Sequence, residues 1–150
     1  MMQSVSAHFS IDEVTHSQTA ARLGINNDLP LELMPNVKKA ALGMELVRLA
    51  LNSNMCIVSS WYRCDALNAA VGSKPTSAHR TGMAIDFTCP TAGTPAQIVA
   101  ALLRSKVPFD QLIQEFYTQG KTGGWVHISF DPRMRGQALV IDGNGTRAFS

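Results

Sequence analysis

The chain is 150 residues long, 45 % hydrophobic and 16 % charged, against roughly 25 % charged in an average soluble protein. That is enough apolar mass for a single domain over residues 1–150, and too much for a disordered chain. Its 13 basic and 11 acidic residues leave a net charge of +2, too weak and too scattered for a nucleic-acid footprint, and no apolar run reaches the ~20 residues of a membrane span.

The opening residues, Met1-Met2-Gln3-Ser4-Val5-Ser6, show no basic segment followed by an apolar one, so no secretory signal is expected and synthesis is expected to leave the chain cytoplasmic. Ser10-Ile11-Asp12-Glu13 is a capping box that opens a short helix. A longer helix is expected from Pro35, which suits a first turn. Its apolar positions Val37, Ala40, Ala41, Met44, Val47 and Leu51 recur every three to four residues, the period of one buried face. Met55–Val58 is a short apolar strand that ends at Ser59-Ser60. Asp65–Val71 is an Ala-rich helix stopped by Gly72, and Thr94-Pro95-Ala96-Gln97 is a second capping box, which opens a helix burying Ile98, Val99 and Leu102.

Strands follow. Ala84–Thr88, Gln111–Phe116 and Trp125–Phe130 alternate, and Thr118–Gly124, polar with three glycines, reads as the hairpin loop between the last two. Leu139-Val140-Ile141 is a final strand, with a turn at Asp142–Gly145. Helices followed by a mostly antiparallel sheet give an α+β class, with helices packed on one face of the sheet. Lys38-Lys39 and the Arg133/Arg135 pair read as solvated faces. The three cysteines, Cys56, Cys64 and Cys89, contain no C-x-x-C and read as buried free thiols of a reducing compartment.

The alternation also sorts side chains by face. Asp86 stands between apolar Ile85 and Phe87, and His127 between Val126 and Ile128, so both point away from the core face. A hairpin centred near Lys121 sets Glu115 opposite His127, with Cβ atoms ~5 Å apart. His79 precedes Asp86 by seven residues, and a loop turning at Gly82 aims it back at that carboxylate. Two imidazoles and one carboxylate make a zinc set that leaves a fourth position open. Zinc held this way activates water and polarises a carbonyl. Glu115, outside the ligand set, is placed to act as general base. Taken singly, each of these residues has an ordinary reading: a surface or core histidine, a turn-capping aspartate, a surface glutamate. The constellation is what separates them from that reading. His8 and His16, beside the first helix, have no such setting.

The same residues carry a family resemblance. Ser-x-His-x-x-Gly-x-Ala-x-Asp-Phe at 77–87 and Trp-Val-His-Ile-Ser at 125–129 resemble the zinc D-alanyl-D-alanine carboxypeptidase and L-alanyl-D-glutamate endopeptidase family, whose fold is shared with the hedgehog signalling domain. Ser59-Ser60-Trp61-Tyr62-Arg63 is similar to the family's Ser-Gly-Tyr-Arg segment, and the resemblance runs from about Phe9 to Phe130. It implies zinc held by His79, Asp86 and His127, and a zinc cleft on the sheet face opposite the helices. It implies Glu115 as catalytic base, although many members carry the acid at the position of Gly124. Arg63 is implied as a catalytic and substrate-binding residue that holds a substrate carboxylate or an oxyanion, with a surface ion pair as the plain alternative. Ser77 either binds substrate or caps its loop, and Trp125 either lines the cleft or packs as core.

The expected function is that of a monomeric zinc metallopeptidase cutting bacterial peptidoglycan stem peptides, of carboxypeptidase or endopeptidase type. A phage lysin that reaches the wall after release fits this reading. The alternatives are a non-catalytic zinc-containing wall-binding module and a phage structural component.

Overall fold

The computed structural model describes residues 3–117 and 123–150. Met1, Met2 and most of the expected 118–124 hairpin loop therefore lie outside the described residues. The capping boxes form as the sequence dictates. Ser10 and Glu13 cap each other at the start of α1 (Ile11–Thr15), and Thr94 and Gln97 do so at α5 (Pro95–Arg104). Helix α3 (Met34–Ala50) begins one residue earlier than expected, after a 3₁₀ turn at Leu31–Leu33, and buries Val37, Ala40, Ala41, Met44 and Val47. Helix α4 is Asp65–Ala70. A further helix, α2 (Gln18–Leu23), is capped by Ser17 and ended by Gly24 in the left-handed conformation. With six residues it holds too little periodicity to announce itself.

Six strands form one sheet in the order β1-β2-β4-β3-β5-β6. They are β1 (Ile57–Ser60), β2 (Ala84–Thr88), β3 (Gln111–Glu115), β4 (Trp125–Ser129), β5 (Gln137–Asp142) and β6 (Gly145–Ala148). All pairs are antiparallel except β3–β5. Strand β1 lies two residues later than its apolar run suggests. Ser60 pairs with Asp86 across a bulge, and the Ser59 hydroxyl donates to the Asp86 carbonyl at 3.2 Å, so two serines do strand work. The β3–β4 register is also shifted. Glu115 faces Trp125, and Ile113 faces His127. Strand β3 does not alternate cleanly either: Ile113 shares the face of His127, and Gln114 pairs with core-facing Val126.

One sheet face is the core. Ile85, Phe87, Leu112, Val126 and Ile128 are fully buried there with the apolar sides of α3 and α5, each side chain worth about 1.5–3 kcal/mol on burial. The helices are not confined to this face. Helix α4 packs beside the 3₁₀ turn Ala78–Thr81, and Val71 and Gly72 just after it border a cleft on the opposite face. Arg133 and Arg135 are exposed, as expected, but Arg135 is not free. It grips buried Asp110 through Nε at 2.8 Å and Nη2 at 2.9 Å, because that carboxylate has left water at the start of β3 and needs a charged partner. Cys56 and Cys89 are buried, whereas Cys64 is half-buried, its sulfur accepting the Leu67 N–H as the cap of α4. Among the described residues no helix is long and apolar enough to cross a membrane.

Candidate metal centre

Three separate elements bring His79, Asp86 and His127 together. Asp86 and His127 are cross-strand partners in β2 and β4. His79 reaches them from the 3₁₀ turn Ala78–Thr81, not from an open loop. The Ser77 hydroxyl accepts the His79 N–H at 3.2 Å and so caps the turn, which Gly82 ends at φ +76. A side chain at position 82 would also meet Val37 Cγ2 at 2.7 Å, so only glycine lets the chain reverse against α3 and enter β2.

The turn is tied down from the other side by the segment after β1. The Trp61 indole donates to the Gly82 carbonyl at 2.9 Å, and the Arg63 N–H donates to the His79 carbonyl at 3.0 Å. The Trp61 carbonyl lies 2.6 Å from His79 Nδ1. With Nδ1 carrying the proton toward that carbonyl, the Nε2 lone pair faces the cleft, the arrangement by which a backbone acceptor fixes a ligating imidazole.

Asp86 Oδ1 sits 3.2 Å from His79 Nε2 and 3.0 Å from His127 Nδ1, and one donor atom from each of the three residues lies within 4.8 Å of the others. Among the described residues this is the one such cluster of three. His79 is 2 % and Asp86 5 % exposed. Burial alone would raise the Asp86 carboxyl, but the positive charge and hydrogen bonding of the two imidazoles outweigh it and hold the group well below the ordinary carboxylate range. Burial holds His79 below the ordinary imidazole value. At His127 burial acts the same way, but the Asp86 hydrogen bond prevails and raises it. Two imidazole nitrogens and a carboxylate oxygen, convergent, water-poor and backed by a carbonyl, fit the donor set of a divalent zinc site with an open position.

Glu115 ends β3 diagonally across from His127, its Oε1 3.6 Å from His127 Nδ1. The register expected from the sequence was two residues off, but a shift of two preserves the face, so the carboxylate still arrives in the cleft. Burial, then the Asp86 charge, raise its pKa, while His127 and Arg63 pull the other way. Arg63 lies beside the cluster. Its Nη2 is 3.4 Å from Asp86 Oδ2, and its Nε donates to the Ser60 hydroxyl at 3.2 Å.

These groups line a cleft of about 530 Å³ together with Ser77, Phe116 and Trp125. A second cleft of about 420 Å³ adjoins it, sharing Arg63 and Val71. Trp125 is both wall and packing element, half-buried, its ring 5.5 Å from that of Phe116. Sequence reasoning did not single out Trp61, Ser60 or Phe116 as parts of this site. Trp61 and Ser60 stood in the quoted Ser59–Arg63 segment, but nothing there signalled that a carbonyl and a hydroxyl would hold His79 and Arg63.

A family model described as Peptidase M15 matches residues 7–129, most of the chain. No curated protein matches the sequence.

Proposed function

The chain belongs to the peptidase M15 family, and on that premise we propose that it is a zinc metallopeptidase which hydrolyses a peptide bond in the stem peptides of bacterial peptidoglycan. The observation that carries this is the contact of one Asp86 oxygen with nitrogens of two imidazoles, with the Glu115 carboxylate 3.6 Å from one of them. His79, Asp86 and His127 hold the zinc. The ion, when bound, supplies a Lewis acid that polarises a carbonyl and acidifies water.

The protein's own groups do the rest. Glu115 takes a proton from water onto its carboxylate and delivers it to the leaving nitrogen, work suited to a carboxyl whose burial raises its proton affinity. Arg63, with Nε occupied by Ser60 and one edge toward Asp86, keeps further N–H donors for a substrate carboxylate or a developing oxyanion. Ser77 and Trp125 border the bound peptide. Residues 1–150 act as one monomeric peptidase domain. The substrate is of the D-Ala-D-Ala carboxypeptidase or L-Ala-D-Glu endopeptidase type, and a phage lysin released from the cytoplasm is the setting that fits. The net charge of +2 favours approach to an anionic wall polymer.

The test is mass spectrometry of purified peptidoglycan after incubation with zinc-loaded protein. New termini at one position of the stem are expected. Intact stems in the presence of protein that holds one zinc per chain overturn the reading, and leave a zinc-containing wall-binding module or a phage structural component.

A further inference from the structure

Phe116, the residue after Glu115, combines two features that a purely structural phenylalanine has no reason to carry. Its φ is +52, in the left-handed region that aromatic residues avoid. Its side chain is also 50 % exposed. The backbone is not loose at this point, since the Phe116 N–H donates to the Ile141 carbonyl at 2.9 Å and extends the β3–β5 pairing by one residue. A glycine would make that bond without strain. What the phenylalanine adds is its ring, 5.5 Å from the Trp125 ring at an interplanar angle of 32°. Both rings line the cleft that holds His79, Asp86, His127 and Glu115, and Trp125 is the cross-strand partner of Glu115 itself. The Trp125 indole N–H is buried with no hydrogen-bond partner among the described residues.

We propose that Phe116 is a specificity-determining residue: with Trp125 it forms an aromatic wall that receives a C–H-rich face of the substrate group next to the scissile bond. Aromatic faces are electron-rich and match polarised C–H groups, such as an alanine methyl or the flat side of a pyranose ring. The cleft, at about 530 Å³, is of a size to take such a group beside a peptide. This inference rests on the peptidoglycan-peptidase reading, because it assumes a substrate that carries those groups.

The experiment measures binding apart from turnover. Zinc-loaded Glu115→Gln protein, with and without Phe116→Gly or Phe116→Leu, is titrated calorimetrically with two probes. One is the pentapeptide L-Ala-D-Glu-L-Lys-D-Ala-D-Ala, which carries both candidate scissile bonds, and the other is the same peptide bearing N-acetylmuramic acid. Phe116→Gly is expected to melt no lower than its parent, since the strain is relieved, and to bind about tenfold more weakly. Phe116→Leu, which keeps apolar bulk, is expected to fall between. Weakening toward both probes identifies an alkyl group as the ligand, and weakening toward the muramyl probe alone identifies the sugar. Unchanged Kd toward both probes overturns the proposal, as does absence of binding by the parent. If the parent binds and Phe116→Gly does not, yet protein with Glu115 intact cleaves neither probe, the aromatic wall stands and the peptidase reading falls.

Discussion

Asp86 and His127 face each other across the β2–β4 ladder, with Asp86 Oδ1 3.0 Å from His127 Nδ1. Because two paired strands fix this contact, only His79 must be brought in from elsewhere, and the Trp61 carbonyl orients it. The expected outcome is one zinc per chain in purified protein. His127→Ala and Asp86→Ala are each expected to bind zinc at least about 100-fold more weakly, since losing a ligand costs more than losing one of its outer partners. Metal analysis after dialysis against a chelator checks this. Wild-type zinc content in Asp86→Ala protein contradicts the ligand set.

Glu115 is 3.6 Å from His127 yet outside the group of three. The proposed role as base predicts a separation of binding from turnover. Glu115→Gln is expected to keep zinc and the wild-type melting behaviour while kcat falls about 10²–10⁴-fold. Near wild-type cleavage by this variant assigns the proton transfer to another group.

Arg63 is held by a hydroxyl and a carboxylate whose positions suit a planar fork and not a point charge. Arg63→Lys is therefore expected to retain zinc and lose about 10²–10³-fold in kcat/KM. If the lysine variant turns over like wild type, Arg63 is only the charge partner of Asp86.

The pleat explains how much of this was legible in the sequence. Period-two alternation around Asp86 and His127 is a local property, and it put both residues on the right face. Helix caps are equally local, and both capping boxes formed. What the sequence withheld is set by distant contacts. The parallel β3–β5 pair, the grip of Arg135 on Asp110 and the carbonyl of Trp61 behind His79 each join segments with no shared local pattern. The left-handed backbone of Phe116 contradicts its own propensity, and such violations gather at functional sites.

Asp110 gives a pH dependence remote from the candidate metal centre. Hydrogen bonds from the Arg135 side chain, aided by its N–H and its charge, hold the buried carboxyl below the ordinary aspartate value. The folded-state pKa thus lies under the unfolded one of about 3.9. Its stabilising contribution is complete above that value and is lost as pH falls through the folded pKa. Asp110→Asn is expected to be less stable than wild type at pH 7, with the gap closing below about pH 4. Urea unfolding at pH 7, 5 and 3.5 measures it, and a gap independent of pH removes the carboxylate from the explanation.

Gly124 stands where the family resemblance puts the catalytic acid of many members, and its surroundings leave no room for one here. Its φ is +75, and a Cβ there would lie 2.6 Å from Tyr117 Cα and N and 2.8 Å from the Glu115 carbonyl oxygen. All three are backbone atoms, which cannot rotate aside. Gly124→Ala is expected to cost about 2 kcal/mol or more from the left-handed conformation and the clash together, a fall in Tm of about 4–8 °C for a domain of this size. The close approach at 124 and the acid at 115 are then alternatives, since the crossing that brings Glu115 beside His127 leaves no room for a side chain on the opposite strand. Restoring the relatives' arrangement with Glu115→Gln plus Gly124→Glu is accordingly expected to recover no activity and to lower Tm. Recovery of cleavage by that double variant would show that the strand ends can separate, and that Glu115 is replaceable as the proton acceptor.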